Sequence, residues 1–166
     1  VILAGDSAGA NLALVEAMRR RDEDRISDVL ALLLYYGSYA PCRNGGSFDA
    51  YGDGRFGLSK QAQERYFDAY LQKAPLGDWR AFPLMGRLHG LPYTYVLAAE
   101  LDPLYDDSID LHRALLESGV PSKLSIASAM PHGFLNQAND LPVAANEIKQ
   151  SIVSLTGHLT NTITTS

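Results

Sequence analysis

The apolar positions of this chain change period several times, and each change marks a different element. Val1-Ile2-Leu3-Ala4 is a short apolar, β-branched opening, the pattern of a strand. From about Ala10 to Arg21 the residues are good helix formers, which predicts a helix. Val29 to Tyr36 is apolar without alternation. Such a run reads as a strand covered on both faces, in the centre of a parallel sheet. Tyr93 to Ala99 is a third strand. A helix is expected over about Asp106 to Ser118, with Gly119 and Pro121 as stop signals. A fourth strand follows over about Lys123 to Ala127. A last helix is expected over about Leu141 to Leu155, ending near Gly157, with a polar, frayed tail from Thr160 to Ser166. Strands alternating with helices imply an α/β fold built on a parallel sheet with right-handed crossovers.

Gly37 to Met85 departs from this alternation. Asn44-Gly45-Gly46 and Gly52-Asp53-Gly54 mark turns. Ser59 reads as an N-cap, with Gln63 near the capping-box position. The helix it opens carries Tyr66, Phe67, Tyr70 and Leu71 on one face. That face either packs on the core or lines a substrate pocket above the sheet.

Size and composition narrow the classes. A chain of 166 residues, 46% hydrophobic and 20% charged, is one domain's worth with a real core. A net charge of −5 without a basic stripe argues against a nucleic-acid partner. No apolar run approaches the ~20 residues of a membrane span. Cys42 is the single cysteine, so neither an intrachain disulfide nor a cysteine-based metal site can form. Its presence alone fits a reducing compartment, and a cytoplasmic location is expected on that ground only.

The chemistry gathers at strand ends, where function collects in a parallel α/β sheet. The first strand runs into Gly5-Asp6-Ser7-Ala8-Gly9 and then the helix. This is the strand, sharp turn and helix of a nucleophile elbow, with Ser7 on the turn. Gly5 and Gly9 are expected to let strand and helix pass closely. The N–H of Ala8 opens the helix and points where an oxyanion would form. A G-x-S-x-G arises by chance in about 5% of chains this long, so its placement between strand and helix carries the reading. The third strand ends at Glu100-Leu101-Asp102-Pro103, and the fourth leads into Pro131-His132-Gly133. Serine, acid and base therefore follow in the chain order of this type of fold. A neutral imidazole can take the serine proton on attack and return it to the leaving group, while the acid fixes the tautomer.

Each residue has competitors. His89, His112 and His158 read as surface residues in a loop, inside a helix and beyond the last helix. His132 stands between a proline and a glycine that can turn its ring toward the sheet. Asp106 and Asp107 suit the start of a helix as caps for free N–H groups. Asp110 lies within that helix, and Glu100 still belongs to the strand.

Gly5-Asp6-Ser7-Ala8-Gly9-Ala10-Asn11, Ala99-Glu100-Leu101-Asp102-Pro103-Leu104-Tyr105-Asp106 and His132-Gly133-Phe134 together resemble the hormone-sensitive-lipase-like branch of the α/β-hydrolase fold. Gly90-Leu91-Pro92 adds to the likeness. Tyr35-Tyr36-Gly37 and Asp106-Asp107-Ser108 make the chain most similar to bacterial acetyl esterases within it. The resemblance implies Ser7 as nucleophile, Asp102 as acid and His132 as base, acting on carboxylic esters with short acyl chains. It implies no cofactor and no metal. Residues 1–157 would be the C-terminal part of one such domain, with 37–85 contributing to the cap or acyl pocket and 158–166 a tail. The resemblance also implies a glycine motif upstream of the elbow whose N–H groups complete the oxyanion hole, and nothing in this sequence matches it. A further N-terminal part of the domain is therefore expected, and self-association of the chain through an uncovered sheet edge is expected without it. Two other readings remain: a small-ligand binder on the same fold, and an amidase using the same triad.

Overall fold

A computed structural model describes residues 1–72, 75 and 77–164. Its strands are β1 (Ile2–Asp6), β2 (Ala31–Tyr35), β3 (Tyr93–Leu101) and β4 (Ser122–Pro131). They form one sheet, parallel throughout, in the order β1-β2-β3-β4. The helices are α1 (Ala8–Asp22), α2 (Gly46–Tyr51), α3 (Lys60–Leu71), α4 (Tyr105–Glu117) and α5 (Pro142–Thr164).

The alternation of side chains along the strands decides where the helices go. Leu32 and Leu34 of β2 and Val96 of β3 share one face with Leu14 and Met18 of α1 and Leu111 and Leu115 of α4. Leu33, Tyr95 and Leu97 face the other way, onto Ala144 and Leu155 of α5. Both faces are thus covered, which is why β2 reads as an unbroken apolar run. β1 is an edge strand that pairs with β2 alone among the described residues. Val1 and Ile2 remain 64% and 45% exposed.

Several boundaries differ from the sequence expectation. α5 does not stop near Gly157 but runs on to Thr164. A glycine costs a helix only about 1 kcal/mol, and Leu155 and Leu159 on either side of it pack on the core. The expected frayed tail is therefore helical as far as it is described, and residues 165 and 166 lie outside the described residues. β4 extends to Pro131, well past Ala127. Its pairing with β3 slips between Ala99↔Ala127 and Leu101↔Pro131. Ala129 takes up the slip with a left-handed φ of 58°. A bulge of this kind re-aims the strand end, here toward the end of β3.

Between β2 and β3, the two glycine-rich turns flank α2, a short helix with no periodic signature. Ser59 caps α3, its Oγ accepting from the Ala62 N–H at 3.1 Å. Gln63 takes no part in that cap. It is buried and turns inward, its Nε2 donating to Ser38 Oγ.

Candidate active site

The turn from β1 to α1 holds Ser7 at φ 52° and ψ −121°. This is a sparsely populated conformation for a residue with a side chain. Two features hold it there. The Ser7 N–H donates to the Tyr35 carbonyl at 2.9 Å, continuing the β1–β2 ladder into the turn. The helix then starts directly behind, the Ser7 carbonyl accepting from the Ala10 N–H at 3.1 Å. A Cβ at Gly5 would lie 2.3 Å from the Gly9 carbonyl carbon and oxygen, so the close passage of strand and helix requires glycine there. A Cβ at Gly9 would meet nothing within 4 Å, so that glycine is not required for clearance.

His132 follows the bulged end of β4, and Gly133 behind it takes the left-handed conformation with φ 76°. The ring is thereby carried to the elbow. His132 Nε2 lies 2.9 Å from Ser7 Oγ, and Nδ1 lies 2.7 Å from Asp102 Oδ2. Asp102 is fully buried, and its other oxygen accepts from the Leu104 N–H at 2.8 Å. With the imidazole proton on Nδ1, that nitrogen donates to Asp102 and Nε2 accepts from the Ser7 hydroxyl. The three side chains, drawn from three strand ends, form one continuous hydrogen-bonded chain. Tyr36 packs its ring edge against His132 at 5.2 Å between centroids. Its hydroxyl lies 3.4 Å from Asp6 Oδ2. Burial and the neighbouring Asp6 raise the Tyr36 phenol above its ordinary range.

The competing residues have other partners. Glu100 accepts from the Ala129 N–H at 2.6 Å and so ties down the bulge. Asp106 and Asp107 do not cap α4. Asp106 accepts from the Ser47 N–H at 2.8 Å, and Asp107 accepts from the N–H groups of Tyr39 and Ala40 at 2.8 and 3.1 Å. Both pin the segment that leaves β2. Asp110 pairs with Arg43 at 2.8 Å. His89 is exposed, as expected. His112 is half-buried beside Ser122, with burial pulling its pKa down. His158 lies inside α5 and stacks on Tyr93 at 4.3 Å, so neither is the simple surface residue that was expected. Burial pushes the half-buried Cys42 thiol up to about 11.

Asp107 has a measurable consequence. It is fully buried, and one of its oxygens has no hydrogen-bond partner. Burial pushes its carboxyl up to about 6, outweighing the Tyr39 and Ala40 N–H groups and Arg43. The folded value thus lies above the unfolded one. Its contribution to stability is fully present below the ordinary carboxylate range and is lost as pH rises through about 6. Asp107→Asn still offers an oxygen to the two N–H groups and cannot ionise. Between about pH 4 and pH 7 the variant is expected to gain on the native protein by up to about 3 kcal/mol. Urea unfolding of both proteins across that range checks this. A difference that does not change with pH contradicts it.

A cavity of about 530 Å³ opens on Ser7 and His132 and reaches the α3 face, with Tyr66, Phe67 and Tyr70 in its wall. Tyr66 and Tyr70 are well exposed, at 65% and 59%, while Phe67 packs on the buried Phe82 ring at 4.7 Å, so the face is shared between cavity and core. The Ala8 N–H stands at the first position of α1, where a helix has no internal acceptor to offer. Ala8 also lines the cavity. Gly45-Gly46 lies far from this position in the chain, at the start of α2 beside Asp106. Among the described residues no group of three or more His, Cys, Asp or Glu side chains could hold a metal ion. No described helix is long and apolar enough to cross a membrane.

Asn11, Ser38 and Gln63 line the cavity through contacts that the sequence reading did not find. Asn11 is buried, and its Nδ2 donates to the carbonyls of Ser38 and Ala81 at 2.6 and 2.8 Å. Ser38 Oγ accepts from Gln63 Nε2 at 2.7 Å. Their partners are 25 to 70 positions away in the chain, so no local signal could have paired them.

A serine on a sharp strand-to-helix turn, met by a histidine and a buried aspartate from later strand ends, defines an α/β-hydrolase. Residues 1–136 match the family described as alpha/beta hydrolase fold, and the chain belongs to that family. Within it, the chain is related to acetyl esterases. It is 32% identical over 149 residues to an acetyl esterase of Salmonella paratyphi B, covering 88% of this chain and 46% of that protein. The chain therefore spans about half the length of the curated relatives it matches. Among solved structures, a thermostable esterase from Pseudomonas putida superposes with a TM-score of 0.87 at 26% identity, covering 95% of this chain and 51% of that one. A fungal esterase from Rhizomucor miehei gives 0.86 at 27% identity, covering 93% and 50%.

Proposed function

We propose that this chain supplies the triad-bearing part of a carboxylesterase acting on short-acyl, acetyl-type esters. The observation that carries the reading is the unbroken relay from Asp102 through His132 to Ser7, at the mouth of a cavity large enough for an ester. Ser7 Oγ attacks the ester carbonyl carbon, and its proton passes to His132 Nε2. The carbonyl oxygen becomes an oxyanion facing the Ala8 N–H. Collapse breaks the bond to the alcohol, which leaves with the proton from His132. Water then repeats the sequence on the acyl-serine, releasing the acid and free Ser7. Asp102 holds the ring in the tautomer that accepts at Nε2 and balances the imidazolium.

The preference for short acyl groups rests on the acetyl esterases among the relatives. Ala8 offers one oxyanion donor, and such holes use at least one more. We therefore assign the remaining donors to the portion of the domain that the relatives have and this chain does not span. The test is labelling of the full-length protein with a fluorophosphonate, with mass mapping of the adduct, together with turnover of aryl acetate against aryl decanoate. Labelling at Ser7 with acetate turned over at least about tenfold faster is expected. An unlabelled Ser7, or rates that climb with acyl length, overturns the reading.

A further inference from the structure

Away from Ser7 and His132, the cavity wall is apolar and aromatic except where Asn11, Ser38 and Gln63 meet. Gln63 lines it from α3, only 6% exposed, with one end of its amide bonded to Ser38 Oγ. The other end has no hydrogen-bond partner among the described residues. Asn11, 7% exposed, lines the same wall. Both of its N–H bonds point to backbone carbonyls, so its Oδ1 is the end left over. Neither leftover group is sealed off, so a bound group can meet it in place of water.

We propose that Gln63 is a specificity-determining residue, which with Asn11 selects esters whose cavity-seated group is a neutral ring bearing a hydroxyl. The proposal rests on the esterase reading above and adds the class of substrate. Three observations set that class. Tyr66, Phe67 and Tyr70 offer ring faces and edges to a flat group. Among the described residues no Asp, Glu, Lys or Arg lines the cavity, so they offer a charged group no counter-charge. The partner of the Gln63 amide is a serine hydroxyl, which can donate or accept, so either end of the amide can face the cavity. A ligand hydroxyl suits both orientations, because it too donates and accepts. A carbonyl, which only accepts, or an ammonium, which only donates, would suit only one.

A hydroxylated ring can be a phenol or a sugar, and paired substrates separate them. One pair is 4-hydroxyphenyl acetate and 4-methylphenyl acetate. The other is a monoacetylated pyranoside and its analogue lacking one ring hydroxyl. The full-length protein is expected to favour the hydroxylated member in one pair by about tenfold in kcat/KM. Gln63→Leu should bring that ratio close to one. The ratio does not depend on how much enzyme is folded, and Gln63→Met, closer in length to the native side chain, provides a second variant. A ratio that survives both substitutions, or no preference in either pair, overturns the proposal. If no ester is turned over, the esterase reading fails, and calorimetric binding of hydroquinone against 4-methylphenol then decides this one. A preference for hydroquinone that both variants lose supports it, and equal binding overturns it.

Discussion

Ser7→Ala is expected to lower ester turnover by about five to six orders of magnitude. Among the described residues, the serine supplies the only nucleophilic atom within hydrogen-bond reach of His132 Nε2. His132→Ala should cost about as much, because the Ser7 hydroxyl would then keep its proton during attack. The double variant should be little worse than either single one, since groups that act as a unit are lost as a unit. Asp102→Asn should cost about four orders of magnitude. The amide keeps the packing but can present its NH₂ to Nδ1, which favours the tautomer whose Nε2 carries the proton. Burst and steady-state kinetics on an activated aryl acetate measure all four proteins. Residual turnover above about 1% of native in Ser7→Ala contradicts the assignment.

The second large effect concerns the rest of the domain. Each missing oxyanion donor costs about two to three orders of magnitude in kcat. The outer edge of β1 is unpaired among the described residues, and Val1 and Ile2 are exposed beside it. A strand edge with apolar neighbours is a template for another strand. The 166-residue chain expressed alone is therefore expected to turn over esters at least about 100-fold more slowly than the full-length protein. It should also elute above monomer size. Supplying the remaining part of the domain as a separate fragment should restore both size and rate. A soluble monomer with full turnover would show that the oxyanion site is complete within these residues.

The sequence made legible those parts of the molecule governed by local rules. Ser7, Asp102 and His132 lie next to strand ends in sequence, and the fold brings them together at the carboxyl end of the sheet. The β2 run announced a sheet covered on both faces. What stayed hidden depends on partners far along the chain. The bulge that carries β4 on to Pro131 has its Ala129 N–H donating to Glu100, 29 positions earlier. Asp107 reads as a helix cap by position, yet it serves the backbone of Tyr39 and Ala40, more than sixty positions earlier. Gln63 reads as a cap partner by spacing, but the helix begins one residue too early for that, and the side chain falls on the buried face.

The Ser7 backbone sets chemistry against durability. A residue with a side chain held at φ 52° and ψ −121° costs the fold about 1–3 kcal/mol. Glycine adopts that conformation freely. Ser7→Gly should therefore give a protein that is inert toward esters yet harder to melt, by several degrees in a thermal scan. A melting point equal to or below the native one would mean that the turn is not strained. If the rise is found, it measures what reactivity withdraws from stability at a single position. Any descendant of this chain kept for ligand binding alone would then gain robustness by losing this serine, so selection for a sturdy protein alone would erase the proposed site.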